Sequence, residues 1–366
     1  MTRICHLTSA HPPLDIRIFH KECRTLAREG YEVVLVAPHD KDEIVETIRI
    51  RRLKNAKNRS SRFTGMMYTI LQSALRENAV LYHIHDPDLI FIGLYLRRKG
   101  KKVVYDVHDD IPRAIQTREW IPGILRKPLS VLFEYFENSC AQRMDCIVAA
   151  TPFIRERFLS IGCRAVNINN YPIRSELYSP QNDWKAKEDA VCFVGSIDQM
   201  RGINELIIAI GRTRAKLILA GAFSPASHRK VASQLPGWRK VEELGQIDRS
   251  EVAKVYSRSM AGAVLYHEHP NHVNAQPNKM FEYMSAGIPV IASHFPLWKT
   301  IVEGYRCGIC CDPKKPAEIA GAIQWIADHP EEARIMGANG RKAVEEKFNW
   351  ENEGEKLIAL YEELLN

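Results

Sequence analysis

Two short stretches carry residue types suited to holding a phosphorylated ligand. The first is Pro277-Asn278-Lys279-Met280-Phe281-Glu282, followed by the stop signals Gly287 and Pro289 and the apolar run 290–292. This reads as a loop, a short helix and a buried strand. The first amides of such a helix have no partner inside it, and the helix dipole makes that end positive. Phosphate binds there readily, and Lys279 adds a charge. Glu282, one turn on, shares a face with Asn278 and Lys279 and suits hydroxyls such as those of a ribose. Alone, the stretch reads more simply as a capped helix before a core strand. The second stretch is Gly195-Ser196-Ile197-Asp198-Gln199-Met200-Arg201-Gly202, between a strand pattern at 190–194 and a helical pattern at 203–211. Gly195 lets the backbone approach a ligand closely. Arg201 can pair bidentately with phosphate. The stretch lacks the G-K-[ST] ending of a Walker loop. The two together, in one α/β segment, are far more specific than either alone.

Other candidates lie at the ends of predicted strands. The run 102–107 ends in His108-Asp109-Asp110, which places His108 on a loop where α/β sheets bind ligands, unless a neighbouring Asp simply satisfies it. The loop 9–15, with His11 and Asp15, follows the first strand and lacks G-x-G-x-x-G. Asp86-Pro87-Asp88 could ligate a divalent metal, but the favoured reading is a helix cap by Asp86. Ser250 is expected to cap a later helix. Cys307-Gly308-Ile309-Cys310-Cys311 reads as a strand with apolar thiols, because no second ligand cluster completes a metal site.

The elements that position these residues are βα repeats. Strands are expected near 3–9, 32–37, 80–85, 102–107 and 145–149, then again from 190, which predicts two parallel-sheet domains. A length of 366 residues agrees with two cores. A polar segment at 169–187 holds the expected boundary. No apolar run reaches spanning length and no signal peptide is evident. Nine cysteines in mostly apolar surroundings read as free thiols, which places the chain in the cytoplasm. Residues 1–180 hold 28 Lys and Arg against 20 Asp and Glu, and the remainder 23 against 24. The basic excess therefore sits in the first half and suggests an anionic partner. Its densest run is Arg49, Arg51, Arg52, Lys54, Lys57, Arg59 and Arg62, ahead of an apolar helical pattern. That reads equally as an anionic membrane surface or as a solvated loop with a core helix. The run lacks interleaved aromatics, so nucleic acid is not expected. The amphipathic segment 120–136 could face membrane, but core is the favoured reading.

His11-Pro12-Pro13-Leu14-Asp15-Ile16-Arg17, Asp106-Val107-His108, residues 195–202, Pro277-Asn278-Lys279 to Glu282, Ala286-Gly287-Ile288-Pro289-Val290 and Phe348-Asn349-Trp350 together make the chain resemble the family 4 glycosyltransferases. The resemblance implies the GT-B fold, two Rossmann-like domains facing across a cleft. It implies an N-terminal acceptor-binding domain (1–180), a C-terminal donor-binding domain (181–346) and a last helix (347–366) crossing back to the N-domain. The implied activity is metal-independent, retaining transfer of a sugar from a nucleotide-diphosphate donor to an acceptor hydroxyl. The basic first half adds the expectation of a lipid-linked or cell-envelope glycan acceptor at the cytoplasmic face of a membrane. A GT-B nucleotide-sugar epimerase and a non-catalytic partner subunit are the alternatives. In this reading Arg201 and Lys279 meet the diphosphate, and Gly195, Ser196, Ile247 and Asn278 line the donor site. Glu282 binds the ribose and His108 lies near the transferred sugar. His11, Asp15 and Arg17 form the cleft loop, with Arg17 as a substitute cation. No cofactor or metal is expected. Two departures stand out. Asn274 occupies the position of the first Glu of E-x7-E, and Ser196 that of a second phosphate-binding Arg.

Overall fold

The computed structural model describes residues 1–54, 65–118, 120–177 and 184–366. The chain forms two compact units, residues 1–170 with 352–366, and residues 171–351. The boundary expected at 180, like Lys57, Arg59 and Arg62 of the basic run, lies outside the described residues.

The first unit is built on an eight-stranded sheet in the order β3-β4-β2-β1-β5-β6-β7-β8. The strands are β1 (Arg3–Leu7), β2 (Glu32–Pro38), β3 (Glu43–Val45), β4 (Ile48–Leu53), β5 (Leu81–Ile84), β6 (Lys102–Val107), β7 (Cys146–Ala149) and β8 (Ala165–Asn167). Neighbours pair in parallel except β3 with β4. All four residues of β5 and of β7 are buried, as a sheet covered on both faces requires. The helix after β1 opens as a π-helical segment, Ile16–Cys23, and only then becomes regular. Asp15 caps it, its side chain accepting from the amides of Arg17 and Ile18. The C-terminal helix Trp350–Leu365 gives most of its length to this unit. Its Tyr361 hydroxyl is 2.8 Å from His83 Nδ1.

The helices of this unit include α1 (Ile90–Arg98) and α2 (Gly123–Ala141). Most apolar side chains of the segment 120–136 stay outside the core, although Ile121 is buried and Phe136 packs against it. Ile124 is 85% exposed, and Trp120, Leu125, Val131, Leu132 and Tyr135 are exposed with it. The core instead takes Ser130, Glu137 and Cys140 from α2, so its buried stripe is narrow and partly polar.

The second unit carries a six-stranded, all-parallel sheet in the order β11-β10-β9-β12-β13-β14. These are β9 (Glu188–Val194), β10 (Lys216–Ala220), β11 (Val241–Gly245), β12 (Ser259–Val264), β13 (Val290–Ser293) and β14 (Gly308–Cys311). β14 is the thiol-bearing strand, and all nine cysteines are free. Three helices follow strand ends and position the site: α3 (Ile203–Gly211), α4 (Arg249–Arg258) and α5 (Asn278–Ser285). No helix among the described residues is long and apolar enough to cross a membrane.

Candidate functional site

In the second unit, β9 is followed by Gly195 with φ 118°, a backbone state that side chains disfavour. The chain then makes a short turn, Gln199–Arg201, capped by the Asp198 carboxylate, and passes through Gly202 into α3. Gly202 has φ 70°, and a Cβ there would collide with the Leu265 carbonyl oxygen. The loop is thereby fixed between β9 and β12. Arg201 Nε lies 3.0 Å from Asp198 Oδ2, its Nη1 donates to the Ser196 carbonyl at 3.4 Å, and its guanidinium sits 5.4 Å from the Tyr266 ring centre.

Lys279 comes from α5, whose N-cap is Pro277 and has no side-chain cap. That leaves the positive end of the helix open to an anion. Lys279 is 7% exposed, yet its Nζ has no hydrogen-bond partner among the described residues. The nitrogen rests 3.6 Å from the Phe193 ring centre and 5.9 Å from that of Tyr266. A Cβ added at Gly195 would stand 3.4 Å from it, so the glycine keeps the space beside the amine open. Burial, and then the charge of Arg201, push the Lys279 pKa down to about 7. Asn278, beside it at the helix start, is exposed.

Glu282 lies one turn further and is held from two sides. Its Oε1 accepts from Arg249 Nη1 at 2.8 Å and its Oε2 from the Tyr256 hydroxyl at 2.9 Å. Arg249 also donates to Glu176 at 2.7 Å. The cap expected at Ser250 is instead Asp248, which forms a reciprocal capping box with Glu251 and sets Arg249 at the first helical position. Arg249 was not singled out from sequence; the capping-box spacing was the available signal. Ile247, just before α4, packs partly buried against the core. Asn274 ends the short helix Pro270–Val273, and His267 in the same loop approaches Glu205 at 3.3 Å.

In the first unit the strand-end residues converge on two buried carboxylates. His108 Nε2 lies 2.8 Å from Asp106 Oδ2. His11 Nδ1 is 3.3 Å from Asp15, and its Nε2 is 3.7 Å from Asp86. Burial opposes charge on His11, but Asp15 and Asp86 outweigh it and raise its pKa. Two expectations are corrected here. Asp86 does not cap a helix with its side chain. It accepts from the Thr8 hydroxyl at 2.6 Å and the Ser9 amide at 2.8 Å, tying down the loop after β1. Arg17 is not a loop cation. It is buried, grips Asp106 through Nε and Nη2 at 2.9 and 2.8 Å, and donates to the Ile168 carbonyl at 3.0 Å. Its pull, outweighing burial and joined by His108, holds the Asp106 carboxyl well below the usual range.

The structure thus brings Gly195, Ser196, Arg201, Lys279 and Glu282 into one region of the second unit, and His11, Asp15, Arg17 and His108 into one region of the first. Among known proteins, residues 17–169 match the model for Glycosyltransferase Family 4, and residues 175–343 that for Glycosyl transferases group 1. The D-rhamnosyltransferase WbpZ of Pseudomonas aeruginosa is 24% identical over 75% of this chain and 71% of its own. Sucrose-phosphate synthase of Thermosynechococcus elongatus superposes with a TM-score of 0.81 at 20% identity, over 100% of this chain and 99% of its own. Anabaena Alr3699/HepE, solved in complex with UDP-glucose, superposes with a TM-score of 0.75 at 15% identity, over 99% and 100%. The two sheets and these likenesses define a GT-B glycosyltransferase. The chain belongs to glycosyltransferase family 4.

Proposed function

We propose that the chain transfers a sugar, with retention of configuration, from a nucleoside-diphosphate donor bound in the second unit. The observation that carries this reading is Lys279, a buried amine with no hydrogen-bond partner among the described residues, at an uncapped helix start beside Arg201. A buried cation without a partner is costly, and a diphosphate would supply the missing charge. HepE, of the same fold, is solved with UDP-glucose. In this reading Gly195, Ser196 and the amides at Asn278 and Lys279 cradle the phosphates, and Ile247 lines the site. Glu282, oriented by Arg249 and Tyr256, accepts from the ribose hydroxyls, and His108 serves the transferred sugar.

As the sugar–phosphate bond breaks, charge grows on the leaving diphosphate. Arg201, Lys279 and the α5 dipole are fixed where that charge develops. They take the part that a divalent metal plays in other transferases. The acceptor hydroxyl attacks from the same face, and its proton passes to the departing phosphate. Calorimetry with a panel of nucleotide sugars tests the donor site. One of them should bind with affinity that falls at least tenfold in Arg201→Ala, and no binding by any member of the panel overturns the reading.

We also propose a lipid-linked or cell-envelope glycan acceptor, met at the cytoplasmic face of an anionic membrane. Support comes from the exposed apolar side chains of α2, with Lys127 exposed on the same helix and Arg118 exposed ahead of it, rather than from the basic run. In that run Arg51 pairs with Glu77 at 2.6 Å and Asp42 at 3.2 Å, and Arg52 donates to the Asp40 carbonyl.

A further inference from the structure

The first unit also encloses four buried side chains with the chemistry of a metal site. β1 and β5 pair in parallel, with His6 opposite His83. His83 and His85 are two residues apart and share a face. The three rings lie 4.7–5.1 Å apart, centre to centre. Glu22 reaches them from the π-helical segment 16–23. Each of the four can place a ligand atom within 4.8 Å of the other three. His6 Nδ1 and His85 Nε2 are 2.9 Å apart, and Glu22 Oε2 is 3.9 Å from each. Ligands about 2.0–2.1 Å from a tetrahedral zinc ion stand about 3.3 Å from one another, which these separations bracket.

The outward nitrogens are also occupied as a metal site requires. His85 Nδ1 lies 3.3 Å from Asp106 Oδ2. His83 Nδ1 and His6 Nε2 both meet the Tyr361 hydroxyl, at 2.8 and 3.3 Å. Carboxylate or hydroxyl partners on the far nitrogen orient metal-binding imidazoles and fix their tautomer. Arg17 in turn holds Asp106.

A hydrogen-bonded relay from Tyr361 through His6 and His85 to Asp106 accounts for part of this arrangement but leaves a remainder. Among the described residues, both Glu22 oxygens and His83 Nε2 are buried with no hydrogen-bond partner. Arg17 Nε lies 3.0 Å from Glu22 Oε1, but it donates to Asp106. Arg17 offsets the charge at Oε1, but acceptors with no hydrogen bond in a protein interior call for a further donor or cation.

We propose that His6, His83, His85 and Glu22 bind one divalent transition-metal ion of the zinc type. Three neutral imidazoles and a carboxylate suit zinc, and four protein ligands with no open position make the site structural. The ion would clamp β1, β5 and the segment 16–23 together. Its ligand His85 also lies 3.3 Å from His108 Nε2 and 3.3 Å from Asp106 Oδ2, so the ion would steady the pair Asp106 and His108 from behind.

The test uses the full chain, produced in zinc-supplemented medium and also refolded with Co2+ after chelation. Elemental analysis should find about one zinc per chain. The cobalt form should show tetrahedral visible bands without a thiolate charge-transfer band. Glu22→Gln and His83→Phe, each checked for folding by circular dichroism, should lower occupancy at least tenfold. Metal content below a tenth of an equivalent by both routes overturns the site. So does a thiolate–cobalt band, or full occupancy retained by either folded variant. Wild-type loading and spectrum decide the matter even if neither variant folds.

Discussion

Lys279 concentrates the chemistry of the second unit in one titration. Its proton is held weakly, with a pKa near 7 instead of 10.5, because the amine is buried beside Arg201. An anion placed against it would favour the charged form and raise that pKa. Between the two values, binding a nucleotide sugar takes up a proton. Affinity is therefore flat below about pH 7 and weakens as pH rises above it, by at most tenfold per unit. Calorimetry of a nucleotide sugar in buffers of different ionisation heat should show the uptake, and Lys279→Met should abolish both the slope and the uptake. Arg201→Ala should lower kcat on the order of 10²-fold, the scale of removing one charge-stabilising donor. Turnover at the wild-type rate would remove Arg201 from the mechanism. Both residues could be found from sequence, because a cation beside a helix start is a local pattern. Their partners could not. That Arg17 would turn inward to Asp106, 89 residues away, follows from tertiary packing alone.

At the scale of elements, the βα alternation made the two parallel sheets readable, since buried parallel strands appear as short β-branched runs. What failed was the facing of single elements. The segment 120–136 has enough apolar residues for a core helix, yet α2 turns Ser130 and Glu137 inward and leaves Ile124 and Leu132 outside. A helix with apolar residues on several sides does not announce which side is buried. The outer face gives a prediction. Ile124→Glu with Leu132→Glu should weaken binding to anionic liposomes severalfold while leaving nucleotide-sugar binding unchanged. Sedimentation with vesicles checks it, and equal sedimentation of both forms would remove the membrane role of α2. The glycine between β9 and α3 gives another. Gly202→Ala needs a left-handed backbone and meets the Leu265 carbonyl, so it should destabilise the chain by at least about 1–2 kcal/mol in denaturant unfolding.

At the scale of the whole molecule, family and fold were legible because the motifs are spread over nearly the entire chain, and the matches at 17–169 and 175–343 agree. The histidine cluster was not legible as a unit. His83 and His85 announce one face of a strand, but His6 and Glu22 join them only through strand pairing and the π-helical turn. One feature of this unit bears on how the protein is made. Tyr361 packs against His6 and His83, although 355 residues separate it from His6. During synthesis at about 5–20 residues per second, the first 170 residues leave the ribosome well before Tyr361 does. Until then the rings of His6 and His83 lack the Tyr361 hydroxyl. The N-terminal unit is therefore a late finisher despite its early start. A chain that stops before residue 352 lacks the segment that completes this unit.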